Sequence, residues 1–403
     1  MEIPKDPGGA YQGKDPPLFW YDKKKKGIYI MEELLELMEY IEDVRQKRKV
    51  RHKLKDILVI VLFATLADAD DWVEIAMFAN EYQDYLRKYI ELKNGVPSHD
   101  TIQRVMGMVS PDILQQLYSR WQELLNRGEG EVLKKIICID GKTMRSNKRK
   151  GSKPSHIVTA WSREDGFSLG QKAVNEKSNE IMAIPELLEK IQVKGQIITI
   201  DAMGTQKEIA EKIRNKRADY VLAVKGNQGT LYEDLKLYFS DESIRKEIEE
   251  KKSYSRTIEK AHGQIEKREY YQTDDIKWLS NKKEWRGLKS IGTEKKTLTD
   301  ENGERVEFRY YISSLKMEEE TFRRAVRGHW SVESMHWQLD VTFREDANQT
   351  YDKQAAQNLN IIRKWSLSIL KTMEIMKPGL SMRKKRFAIS FRPMKYLEEV
   401  LGF

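Results

Sequence analysis

The sequence predicts an α/β protein: an all-α N-terminal domain, an α/β core and a β-rich insertion within that core. Three observations carry this reading. Up to about residue 130, apolar residues recur at three- and four-residue spacing. Beyond it, short β-branched runs such as "IICID", "QIITID" and "DYVLAV" alternate with amphipathic helical runs. Strand-like pieces then cluster a second time between residues 231 and 318.

The elements follow in order. Residues 1–27 are rich in Pro, Gly and Lys and are expected to be a disordered basic leader. Residues 28–130 form the helical domain. "MEELLELMEYIEDVRQKR" reads as a helix, and "ILVIVLFATLA" (Ile57–Ala67) as a buried one, too short to span a bilayer. Ser98 or Asp100 can cap the next helix, and Ser110-Pro111-Asp112 opens another. Two short helices after a basic helix suit DNA binding, and equally a plain helical bundle.

From 131 to 230 the expected order is β-β-β-α-β-α-β, with the turn Glu164-Asp165-Gly166 inside a hairpin. Strands separated by helices pair in parallel through right-handed crossovers. Residues 231–318 read as a mixed, partly β insertion, with "KREYYQT", "GLKSIGTEKKTL" and "VEFRYYISSL" as strands. Helices resume over 319–376, and 377–403 is a basic, weakly patterned tail.

The 403 residues carry 72 Lys and Arg against 63 Asp and Glu, a formal charge of +9. That balance favours an anionic partner, nucleic acid first. The excess gathers at Lys23–Lys26, Arg45–Lys55 and Arg383–Arg386; a solvated face is the plain alternative for each. The single cysteine, Cys138, excludes an intramolecular disulfide and fits a reducing cytoplasm. No signal-peptide region stands at the start.

Two apolar strands end in an acid followed closely by Gly: "ICIDG" at Asp140 and "ITIDAMG" at Asp201. If the strands are parallel neighbours, both carboxylates emerge at the edge where open α/β sheets place ligands. Two close carboxylates repel unless a cation lies between them, which points to a hard divalent ion. The bland alternative makes Asp201 a helix cap and Asp140 a turn opener. In "RGHWSVESMHWQLD", His329, Glu333, His336 and Asp340 share one helical face, so Glu333 is the candidate third acid. Zinc on His329, Glu333 and His336 is a rival, though the spacing is not H-E-x-x-H. "VKGNQGT" matches no phosphate-loop pattern, and no nucleophile elbow is present.

These stretches, with "IDGKTMRSN", "NEKSNEIMAIPELLEKI", "DYVLAVKGNQGTLYED", "HGQIEKREYY", "RYYISSL" and "AAQNLNIIRKWSLSILK", resemble the blocks of a known family in family order. The chain resembles the ISAs1 family of bacterial insertion-sequence transposases, IS4-like and including the H-repeat-associated proteins, over about Tyr29–Lys377. The resemblance implies a ribonuclease-H-like core with a DDE triad, mapped to Asp140, Asp201 and Glu333 as catalytic and metal-binding residues. In the family pattern Y-R-x-R-W-x-x-E, with a lysine seven residues on, Arg327, Trp330 and Glu333 match. Val326, His329 and Asp340 depart from it.

The resemblance further implies two Mg²⁺ or Mn²⁺ ions, cleavage at the element's inverted repeats, and strand transfer into target DNA. The partner is double-stranded DNA, held by a homodimer or higher assembly in the bacterial cytoplasm at the nucleoid. Lys142, Arg145, Lys207, Lys225, Arg327 and His329 are candidate DNA contacts. Trp278 and Trp285 are candidates for base stacking or core packing, and Asn227 and Gln228 position DNA or shape a turn. Glu345 and Asp346 are the fallbacks for Glu333. Readings from other classes are a DNA-binding copy without catalysis and a metal-dependent nuclease that does not join strands.

Overall fold

The computed structural model describes residues 32–126, 134–145, 153–174, 179–251, 253–261 and 263–401. The predicted leader, 1–27, lies outside them. The chain forms two compact units. One comprises residues 1–130, 144–154 and 337–403; the other, 131–143 and 155–336.

The first unit is helical. α1 covers 32–39, followed by α2 (Leu54–Leu66), α3 (Trp72–Glu81), α4 (Gln83–Leu86), α5 (His99–Met106) and α6 (Pro111–Asn126). α2 is buried nearly throughout, as its unbroken apolar run requires. Ser98 caps α5 by accepting from the Thr101 N–H, and α6 opens at Pro111. The expected basic helix does not form. α1 stops at residue 39, and Arg45–Lys53 is irregular apart from a 3₁₀ turn at Lys47–Lys49. Past Met38 the apolar periodicity fails, and Asp43 instead binds Arg45 locally, 2.7 Å from its Nε.

The predicted weak tail is also overturned. α12 (Lys353–Thr372) is followed by α13 (Met382–Phe391) and α14 (Pro393–Leu401). Half of the "RKKR" cluster faces inward: Lys385 and Arg386 are buried, whereas Arg383 and Lys384 are exposed. Arg386 donates to the Thr65 carbonyl at 2.9 Å, pairs with Asp70 at 3.0 Å, and lies over the Phe343 ring. A buried cation needs such partners, and here it satisfies the Thr65 carbonyl left open at the end of α2.

The second unit is built on β1 (Ile136–Thr143), β2 (His156–Ser162), β3 (Phe167–Val174), α7 (Glu180–Lys190), β4 (Ile197–Ile200), α8 (Lys207–Asn215) and β5 (Asp219–Val224). This is the expected β-β-β-α-β-α-β order. The rest comprises α9 (Gly229–Ser240), α10 (Glu242–Glu250), β6 (Tyr254–Ala261), β7 (Gln264–Thr273), β8 (Ser290–Asp300) and β9 (Gly303–Ser313). α11 (Glu319–Val341) follows; the division between units falls within it, after His336.

The nine strands among the described residues form one sheet, ordered β3-β2-β1-β4-β5-β9-β8-β7-β6. β1, β4 and β5 are parallel; the other pairings are antiparallel. The predicted insertion thus continues the core sheet through the β5–β9 pairing, and it contains one strand, β6, that the sequence reading missed. One face of β1 and β4 carries Ile137, Ile139, Ile198 and Ile200 into a core with α7 and α8 residues such as Leu187 and Ile209. Among the described residues, no helix is long and apolar enough to cross a membrane.

Candidate active site

The register of the parallel strands sets the site. Ile139 lies opposite Ile200, the last residue of β4, so Asp140 within β1 and Asp201 just past β4 follow one registered pair of parallel strands. Side chains alternate along a strand. Ile137, Ile139, Ile198 and Ile200 face the core, so Asp140 and Asp201 fall on the opposite face with Cys138 and Thr199. α11 covers that face. The Cys138 thiol lies 3.2 Å from the Gly328 carbonyl, and Thr199 Oγ1 lies 3.0 Å from His329 Nδ1. A Cβ on Gly328 would stand 2.7 Å from Arg163 Cδ and 3.3 Å from Ile136 Cδ1, so glycine permits this close approach. Glu333 follows His329 by about one turn of α11.

Asp201 leaves the sheet in a turn. Its Oδ1 accepts from the Met203 and Gly204 N–H groups at 3.1 and 3.2 Å. α8 starts later, at Lys207, so Asp201 shapes a turn and does not cap the helix. Asp140 Oδ2 lies 3.4 Å from His336 Nδ1. Gly141 leaves room beneath it: a Cβ there would collide with the buried pair His156 and Glu180, whose Nε2 and Oε1 are 3.2 Å apart.

Asp140, Asp201 and Glu333 line one cavity of about 710 Å³, together with Lys225, His329 and Arg309. Burial raises the Asp140 pKa, but the His336 hydrogen bond and the nearby His336 and His329 charges outweigh it and hold it below the ordinary value. Glu333 faces solvent, yet desolvation and then the charges of Asp140 and Asp201 push its pKa up, against the pull of Arg309 and Lys225. Burial lowers the His329 pKa despite both aspartates. Among the described residues no Lys or Arg forms an ion pair with any of the three acids. Their oxygens are hard donors suited to a divalent cation, and their mutual repulsion is what a cation would relieve. Among the described residues no three His, Cys, Asp or Glu side chains form a ready chelating cluster. The acids therefore share a cavity without closing on one point. The zinc set of His329, Glu333 and His336 forms no such cluster either.

Of the candidate DNA contacts, Lys225 and His329 line the cavity. Lys207 pairs with Glu284, and Arg327 with Glu259 at 3.2 Å, so both are engaged outside its lining. Lys142 is half-buried at the end of β1. Arg145, in the other unit, is exposed and 4.0 Å from Asp346. Asn227 and Gln228 tie their loop to the Ala202 and Thr205 carbonyls, which shapes the turn. Trp285 is buried in the core; Trp278 is 39% exposed and stacks on Tyr238. Glu345 is fully buried against Asn360 and Arg363. The sequence reading missed Arg309, Thr199 and the His336–Asp140 contact. Only the last left a trace, in the shared helical face of His336 and Glu333.

Comparison with known proteins accounts for this arrangement. Residues 132–369 match the family model described as "Transposase DDE domain", and residues 35–122 match one described as "DDE_Tnp_1-associated". "Putative transposase YncI" of Escherichia coli O157:H7 is 39% identical over 92% of this chain and 95% of its own length. "H repeat-associated putative transposase YhhI" of Escherichia coli K12 is 37% identical over 92% and 98%. "Inactive transposase YbfQ" of the same strain is 44% identical, but over 19% of this chain and 93% of its own length. With most of its length matched in both ways, the chain belongs to the DDE transposase family, as a transposase of the H-repeat-associated type.

Proposed function

We propose that this transposase binds the inverted-repeat ends of an insertion sequence, cuts the DNA there, and joins the freed 3′ ends to target DNA. One observation carries the proposal: Asp140 in β1 and Asp201 just past the parallel β4 line one cavity with Glu333, and among the described residues no Lys or Arg forms an ion pair with them. The strand order β3-β2-β1-β4-β5 and the covering helix α11 support a ribonuclease-H-like core. Asp140, Asp201 and Glu333 would hold Mg²⁺ or Mn²⁺, two ions when loaded, which would activate the attacking oxygen and stabilise the leaving one.

The chain's own groups set the rest. His336 fixes the orientation of Asp140. Lys225 and Arg309 place positive charge beside Glu333, where a phosphodiester can be seated. Thr199 orients His329 against the sheet, and the Gly328 contact keeps α11 close to the strand ends. Water attack would free a 3′-hydroxyl, which would then attack a phosphodiester of the target. Neither reaction requires a protein nucleophile. Two ends must meet, which favours a homodimer or larger assembly on double-stranded DNA.

The test uses labelled ends of the element that flanks this gene, one uncut and one pre-cleaved, with Mg²⁺ and target plasmid. Joined product supports the proposal. Cleavage without joining identifies a nuclease, and binding alone identifies a copy without catalysis; either result overturns it.

A further inference from the structure

We propose that Arg309 is a phosphate seat that Glu307 occupies in the absence of DNA; this deepens the transposase reading and rests on it. Arg309 and Glu307 are two residues apart on β9 and share one face of the strand. The Arg309 Nε and Nη2 groups lie 3.0 and 3.4 Å from the two Glu307 oxygens. This two-pronged geometry suits a phosphate as well as a carboxylate.

The guanidinium is held independently of Glu307. It stacks over Trp330 with its central carbon 4.6 Å from the ring centroid. From below, its Nη1 is 4.0 Å from Glu294, the residue opposite Arg309 in the β8–β9 register. Glu294 is fully buried and anchored at 2.6 Å by Arg268, so it stays in place. The Glu307 side chain is 56% exposed and can swing into water without losing a buried contact. Arg309 and Glu307 both line the cavity of Asp140, Asp201 and Glu333. A backbone phosphate entering that cavity exchanges with the Glu307 carboxylate on a guanidinium already in place.

The experiment measures binding of a short fluorescein-labelled DNA duplex by anisotropy across a salt series. Arg309→Ala is expected to weaken binding about tenfold and to reduce the slope of log affinity against log salt by about 0.9, one phosphate. Glu307→Gln removes the competitor and is expected to tighten binding about threefold. That gain should vanish in the double variant Arg309→Ala/Glu307→Gln. Glu301→Gln, an exposed acid in the β8–β9 turn, controls for general charge removal and should change little. An unchanged slope in Arg309→Ala, or a Glu307→Gln gain that survives in the double variant, overturns the inference. If Arg309→Ala fails to fold, Arg309→Lys decides: it keeps the charge and loses the fork, so affinity should fall, and wild-type affinity overturns the seat. Salt-insensitive binding by the unaltered protein would instead sink the reading of a basic DNA-binding surface on which the seat rests.

Discussion

The two halves of the nine-stranded sheet treat acids in opposite ways. In the β6–β9 meander, acids are matched with cations. Glu294 pairs with Arg268, Glu269 with Lys267 at 2.8 Å, and Glu266 with Arg268 and Lys296. Where β1 and β4 part, Asp140 meets a histidine, and among the described residues no Lys or Arg pairs with Asp140, Asp201 or Glu333. The meander follows the rule that a buried charge is paired. The β1–β4 edge departs from it, and an unrelieved cluster of like charges costs stability unless it serves binding or chemistry.

Substitutions can break that contrast at either end. The largest effect is on activity. Asp140→Asn, Asp201→Asn and Glu333→Gln should each lower strand cleavage by roughly three orders of magnitude or more, with duplex binding retained. Near-normal cleavage by Glu333→Gln would mean that the third acid is misplaced. Next is the stability of the meander. Arg268→Ala leaves Glu294 buried without its anchor and should cost about 3–5 kcal/mol in denaturant unfolding.

Cys138 probes the covered face of β1. Burial pushes its thiol up to about 11, above the unfolded value of about 8.5. The buried, neutral thiol therefore contributes stability fully present below about pH 8.5 and lost as pH approaches 11. The stability difference between wild type and Cys138→Ala should shift by about 3 kcal/mol across that window. Gly328→Ala meets the flexible Arg163 side chain, which can give way, and should cost at most about 1 kcal/mol. The smallest effect is expected for Glu333→Gln. Removing one of three mutually repelling acids should leave melting unchanged or raise it slightly, the reverse of Arg268→Ala.

The site was legible where chemistry and local pattern coincide. Asp140 and Asp201 stand out because an acid follows each apolar run, although β1 continues past Asp140 to Thr143 by pairing with β2, and Glu333 because it shares a helical face with two histidines. Ser98 and Pro111 announced their helix starts through local hydrogen bonding and backbone geometry. Elements governed by distant partners were hidden. The last two helices looked like a basic tail because Arg386 is a core residue only through Thr65, Asp68 and Asp70. β6 escaped notice because its charged side chains mask alternation in "YSRTIEKA". Arg309 resembled any surface cation, since its position depends on pairing between β8 and β9 and on a helix that begins later. The opposite error also occurred: "MEELLELMEYIEDVRQKR" read as one helix, yet only residues 32–39 of it are helical.

The central claim is that Asp140, Asp201 and Glu333 act together as a cation site. The direct measurement is calorimetric titration of the DNA-free protein with Mn²⁺, alongside Asp140→Asn, Asp201→Asn and Glu333→Gln. The account predicts saturable binding to the unaltered protein that is lost or at least about tenfold weaker in each variant. Equal Mn²⁺ binding by all four proteins would contradict it.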